Sequence, residues 1–161
     1  MHFEHLIQVN DPDDPLIEPL TREQLWEGLV LRAEQPQLFV PGLEGCTILA
    51  RTARALEREL HYGPANVRDR VTFSPPHHVR YDIPPTAAYA GGSLTMSIEE
   101  PLPRQLFLRF SYETTLPDTP ADEDAQQTAG IVKSAYYEAD KDTVRLIRQF
   151  AVSRHRCRYD P

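Results

Sequence analysis

The chain has 161 residues, 40% of them apolar and 25% charged, a balance that suits one soluble domain with a sizeable core. Its net charge of −7 excludes a general basic footprint for nucleic acid. It has no apolar run of 18 residues, so no helix is expected to span a membrane.

The N-terminus "MHFEHLIQVNDPDD" lacks a basic start and a long apolar run, so it does not read as a signal peptide. Cys46 and Cys157 are the only cysteines and are read as free thiols of a reducing cytosol, which gives a cytoplasmic expectation. The 15 prolines are scattered as punctuation, with no internal repeat and no domain boundary, so residues 1–161 read as a single domain.

"FEHLIQV" alternates, with Phe3, His5, Ile7 and Val9 on one face, and predicts a first strand. "NDPDDPLIEP" is turn chemistry. "TREQLWEGLVLRAEQP" then predicts a helix. Thr21 and Gln24 fit a capping box, Leu25, Trp26, Leu29 and Val30 form a stripe, and Pro36 ends it. A short second helical turn precedes "PGLEG".

Ala55 to Phe73, "ALERELHYGPANVRDRVTF", fits two patterns. Leu49, Ala53, Leu56 and Leu60 lie near helical spacing. Alternatively Leu56, Arg58, Leu60 and Tyr62 share a strand face, and a four-residue turn at Gly63–Asn66 returns Val67, Asp69, Val71 and Phe73 on the matching face. In that hairpin Tyr62 faces Val67, Leu60 faces Asp69 and Arg58 faces Val71, with Arg58 diagonal to Asp69.

Later strands are clearer. Val79, Tyr81 and Ile83 alternate in "HVRYDI", Leu94, Met96 and Ile98 in "SLTMSIEE", and Leu106, Leu108, Phe110 and Tyr112 in "QLFLRFSYET". Joined by Pro/Gly turns, they predict an antiparallel meander. The segment from "PADEDA" to Arg154 predicts a long amphipathic helix. Its stripe is Val132, Ala135, Tyr136, Ala139, Thr143, Leu146, Ile147 and Phe150. Asp122, Glu123 and Asp124 suit its start; Arg154 and Arg156 suit its end.

This α+β order of strand, short helical pair, antiparallel strands and long terminal helix resembles the helix-grip fold of the START-like, Bet v 1-like (SRPBCC) superfamily. There a curved antiparallel sheet wraps a C-terminal helix and leaves a cavity between them. Within it the chain is similar to the AtaL-like branch, through "FEHLIQVN", "LTREQLWEGL", "GCTIL", "LERELHYG", "VRDRVTFSPPHHVRY", "GSLTMSIEE", "LFLRFSYE" and the terminal helix. The resemblance implies the hairpin reading of Ala55–Phe73. It supplies no catalytic residues to carry over.

Arg58 and Asp69 are the sharpest internal candidates, because a buried charge needs a partner, water or a ligand. They read either as a polar anchor for a ligand carbonyl or phenol, or as a structural ion pair. Tyr81, Tyr112 and Tyr136 combine apolar area with one hydroxyl, which suits an aromatic ligand, though each alone fits a core role. Met96 is read as lining the same space. Ala135 and Ala139 leave volume where the helix faces the sheet, or else allow close packing.

Trp26 reads as a core anchor and His5 as a satisfied core histidine. His77 and His78 point to opposite strand faces and do not form a metal site; no metal or cofactor is expected. Gly91-Gly92-Ser93 lacks a Walker lysine, and there is no G-x-S-x-G elbow or calcium loop. The leading expectation is a binding protein for a small apolar or aromatic molecule, held between sheet and helix. The second is a polyketide aromatase/cyclase-like enzyme, with Arg58 polarising a carbonyl and Asp69 or a tyrosine moving protons. The third is an interaction protein with a filled core whose outer sheet face forms a homodimer.

Overall fold

The structure, a computed structural model, describes residues 1–87, 90–115 and 122–159, with side chains as far as residue 153. Its strands are β1 (His2–Asn10), β2 (Gly45–Arg51), β3 (Ala55–Tyr62), β4 (Ala65–Ser74), β5 (His78–Ile83), β6 (Gly92–Glu99) and β7 (Leu106–Glu113). They form one antiparallel sheet in the order β1-β7-β6-β5-β4-β3-β2. Helix α1 (Arg22–Glu34) follows β1, and α2 (Glu123–Tyr159) follows β7. The second short helix expected after α1 is a single 3₁₀ turn, Pro36–Leu38, because Pro36 lacks the amide that a continuing α-helix needs.

Local chemistry accounts for the element ends. The capping box at α1 forms in full: Thr21 Oγ1 accepts from the Gln24 amide at 3.0 Å, and Gln24 Oε1 accepts from the Thr21 amide at 2.9 Å. At the start of α2 the Ala125 amide donates to Asp122 at 2.7 Å, with Glu123 and Asp124 in the first turn. The side chains of Arg154, Arg156 and Cys157 lie outside the described residues; Cys46 is a free thiol.

Ala55–Phe73 is a hairpin, as the strand alternative required, but its register differs from the four-residue-loop expectation. Tyr62 pairs with Ala65, Leu60 with Val67, Arg58 with Asp69 and Leu56 with Val71. The turn is therefore the two residues Gly63-Pro64. Gly63 has φ +58, and proline fixes the next φ, which is the order a tight hairpin turn uses. The shorter loop moves Asp69 from a diagonal to a direct position opposite Arg58.

The inner sheet face buries Leu56, Val71, Val79, Met96, Leu108 and Phe110, and Leu25, Leu29 and Ala33 of α1 join them. Each of the larger side chains contributes roughly 1.5–3 kcal/mol on leaving water. Helices α1 and α2 meet closely at Gly28, where a β-carbon would stand 2.4 Å from Ile147 Cγ2. The outer face is laced with ion pairs: Glu57–Arg70, Glu59–Arg68, Arg80–Asp82, and Arg109 between Glu4 and Glu99. Among the described residues no helix is long and apolar enough to cross a membrane.

Candidate functional site

Two polar groups interrupt the apolar inner face. The first is the hairpin pair. Arg58 and Asp69 are 3% and 4% exposed. Arg58 Nε donates to Asp69 Oδ1 at 2.8 Å and Nη2 to Oδ2 at 2.5 Å, while Nη1 donates to the Ala33 carbonyl at 2.8 Å. Burial opposes the guanidinium charge, but Asp69's hydrogen bonds and charge outweigh it and hold Arg58 above its ordinary range. Both residues are inside, as expected; each is taken up by the other, and Arg58 also by the Ala33 carbonyl of α1. This geometry favours the structural side of the two readings given above.

Tyr81 lies beside this pair. It is 6% exposed, and the guanidinium carbons of Arg58 and Arg32 each sit 5.1 Å from its ring centroid. Its hydroxyl has no hydrogen-bond partner among the described residues, and neither does the buried Nε of Arg32.

The second group joins strands to helix. Tyr112 Oη donates to Asp140 Oδ1 at 2.5 Å, and His5 Nδ1 lies 3.0 Å from Asp140 Oδ2. Asp140 is 3% exposed. Burial raises its carboxyl above the ordinary range, against the lowering effect of the Tyr112 and His5 hydrogen bonds. Burial, reinforced by Asp140, also pushes the Tyr112 phenol up. Aromatic rings surround the group: Tyr112 lies 4.9 Å from Phe3 and 4.6 Å from Tyr136, and Tyr137 meets His5 edge-on at 5.2 Å. His5 is the satisfied histidine the sequence suggested. Its partner was not foreseen, because Asp140 sits in the charged run "EADKD" and its contacts are distant in sequence.

Asp140 gives a pH prediction. A folded-state carboxyl that holds its proton more tightly than the unfolded chain favours folding at low pH, and that support fades as pH rises above about 3.9 and through the folded value. Asp140→Asn cannot titrate. The stability of the wild type relative to Asp140→Asn should therefore fall as pH climbs out of the acid range, in urea melts run at several pH values. Parallel stability profiles would show that burial does not raise this carboxyl.

The helix stripe needs correction. Among the described residues, those of α2 that are buried are Ala129, Asp140, Thr143, Val144 and Ile147, whereas Ala135 and Ala139 are exposed and Leu146 and Phe150 are half-buried. Accepting Asp140 inward turns the contact line away from the two alanines. Lys133 and Tyr137, on one flank, meet Phe3 and His5 of β1. Ala135 and Ala139 lie on the other flank, in line with Leu146 and with Phe150, whose ring packs 5.5 Å from Phe39.

Burial also changes along α2. From Asp140 to Ile147 the inward residues are sealed. Ahead of it Tyr136 remains 40% exposed although its ring lies against Tyr112. On the inner strand faces Tyr62 and Leu94 are likewise only half-buried, and Leu94 pairs with both Tyr81 and Tyr112. Met96, deeper on the same strand, is fully buried. Of the expected site residues, Arg58, Asp69 and Tyr81 are thus together, Tyr112 and Tyr136 are together, Met96 lies in the core between β5 and β7, and the two alanines stand on the exposed flank. Arg32 and Asp140 were missed. Trp26 is half-buried, edge-on to Phe73 at 6.4 Å, and borders a separate open groove on α1 with Glu27 and Glu34.

One curved antiparallel sheet, a long terminal helix laid against it and polar groups set into the apolar interior define a helix-grip protein. The chain belongs to the AtaL family: the family model described as acetylaranotin biosynthesis cluster protein L matches residues 7–154. No curated protein matches the chain significantly. Its fold is similar to that of the Zhui aromatase/cyclase from Streptomyces sp. R1128, at 18% identity and TM-score 0.63, over 100% of this chain and 99% of that one. It is also similar to Ara h 8.0201 (12%, TM-score 0.57, 95% and 98%) and to human STARD10 (10%, TM-score 0.62, 98% and 66%). At these identities the likeness defines the fold.

Proposed function

We propose that the chain binds a small apolar or aromatic molecule between the inner face of the sheet and the first half of α2. The change of burial along α2 carries this reading. A helix whose inward line is sealed from Asp140 onward, and accessible at Val132 and Tyr136 between Asp140 and the buried Ala129, leaves room over Tyr62, Leu94 and Tyr112. Ala135 and Ala139 continue upward the flank on which Leu146 and Phe150 pack, and their small side chains keep that room unfilled. Apolar walls with a few convergent polar groups are the usual composition of a ligand site. Under this reading Tyr62, Tyr81, Tyr112 and Tyr136 contact the ligand, and Arg58–Asp69 stiffens the wall behind them.

Nile red, a neutral apolar dye, tests it. Wild-type protein should bind the dye with enhanced emission. Ala139→Trp should abolish binding while keeping a melting temperature near that of the wild type, because an exposed position has space for the ring. Unchanged dye affinity in this variant, or loss of folding, would favour a filled core instead.

The second reading is an enzyme of the aromatase/cyclase kind, and the Tyr112–Asp140–His5 chain favours it. An ionised Asp140 accepting from His5 Nδ1 leaves Nε2 as the basic nitrogen, the arrangement of an oriented general base. The roles suggested above for Arg58 and Asp69 do not suit that chemistry, since Asp69 is engaged on both oxygens by Arg58, and Arg58 by Asp69 and the Ala33 carbonyl. Native mass spectrometry of protein from its own host would reject this reading if a retained small molecule survived long incubation unchanged.

A further inference from the structure

Arg32 stands on the last turn of α1, one residue before the Ala33 carbonyl that receives Arg58. The two arginines share the Tyr81 ring, yet only Arg58 has a carboxylate. Asp69 is used on both oxygens by Arg58, and Asp140 on both oxygens by Tyr112 and His5. Among the described residues Arg32 makes neither a hydrogen bond nor an ion pair, although its Nε is buried. Its guanidinium carbon lies 5.1 Å from the ring centroid of the buried Tyr81, which sets it at the edge of the aromatic interior. The ring it lies over belongs to Tyr81, 6% exposed, whose hydroxyl is a second buried donor without a partner among the described residues.

Arg32 is half-buried, and its buried Nε requires an acceptor; the planar guanidinium fork matches two coplanar oxygens. The phenolic hydroxyl of the ring it covers supplies one more donor for the head of the same ligand. We propose that Arg32 and Tyr81 form an oxyanion anchor, so that the ligand is an aromatic or otherwise apolar molecule bearing a carboxylate or an ionised phenol. The head sits on Arg32 and Tyr81, and the body lies against Tyr62, Tyr112 and Tyr136. This inference rests on the internal binding site proposed above and adds the charge and geometry of what enters it.

The test uses 2-naphthoate, its uncharged methyl ester and Nile red on the full chain. Wild type should bind the acid about tenfold more tightly than the ester, the worth of a hydrogen bond to a charged group. Arg32→Gln should lose that preference while keeping its affinity for the ester and the dye. Tyr81→Phe should weaken the acid about threefold, as for a neutral donor. Equal wild-type affinity for acid and ester overturns the anchor, as does an Arg32→Gln protein that keeps the acid preference or loses all three probes alike. Should Arg32→Gln not fold, Arg32→Lys decides. It keeps the charge without the fork, so its acid preference should fall between that of the wild type and none; an undiminished preference overturns the fork. Failure of all three probes to bind wild type rejects the binding site itself, whereas dye binding without acid preference rejects the anchor alone.

Discussion

Replacing Asp69 by alanine is expected to cost about 3–5 kcal/mol of stability, read as a shift of the urea midpoint, because it strands a buried arginine. Arg58 is 3% exposed and keeps only the Ala33 carbonyl once its carboxylate is gone. The cost arises from an uncompensated charge, not from the intrinsic value of the pair. The double replacement Arg58→Leu/Asp69→Leu should therefore recover most of the loss, since apolar residues of similar volume often match a buried ion pair. Additive losses in the double variant would show that the pair contributes through packing or through contacts other than the charge. A loss below about 1 kcal/mol in Asp69→Ala would mean that the arginine finds water, as an exposed pair would.

Gly28→Ala sets two effects against each other. In a helix interior alanine is favoured over glycine by roughly 1 kcal/mol. Here the new methyl would meet Ile147 at 2.4 Å from Cγ2 and 2.9 Å from Cγ1. Both carbons are attached to the branched Cβ of a residue 1% exposed, so they cannot swing aside. Overpacking of this kind costs about 1–3 kcal/mol, and the helices must separate to relieve it. The variant should melt below wild type, and adding Ile147→Ala should make Gly28→Ala favourable by its helix propensity alone. A Gly28→Ala protein more stable than wild type would mean that the α1–α2 contact is looser than its geometry.

The alternation of "VRYDI", "LTMSI" and "LFLRFSY" made the meander legible, because a half-buried strand has a period of two and little else produces it. The same alternation exposed Arg58 and Asp69 as charges in an apolar register. Their direct pairing was not legible, since it depends on a two-residue turn at Gly63-Pro64 where Asn66 also invites a turn. Arg32 and Asp140 were harder still. Each stands among charged neighbours on a helix, in "LRAEQP" and "EADKD", where periodicity assigns charge to the solvent face. Asp140 turns inward because His5 and Tyr112 meet it across 135 and 28 residues of sequence. Such partners leave no trace in a local window, and without Asp140 periodicity runs the contact line of α2 through Ala135 and Ala139 instead.

The sheet order sets the timing of assembly. β1 has β7 as its strand neighbour, with Phe3 opposite Tyr112, and Arg148 of α2 donates to the carbonyls of Val9 and Glu18 to hold the same strand from the other side. The strand partner of β1 and the Arg148 contacts are thus made from the far end of the chain, while Asn10 at its end is tied locally to Leu20. On a ribosome adding about 5–20 residues per second, β1 would wait roughly 5–20 s for its neighbour strand to be synthesised, while the β2–β6 hairpins can already close. In dilute refolding the same topology makes docking of β1 a late, high-contact-order step. Until it docks, the unpaired β1 is open to pairing with another molecule, so the first strand is where crowding during synthesis would do most harm.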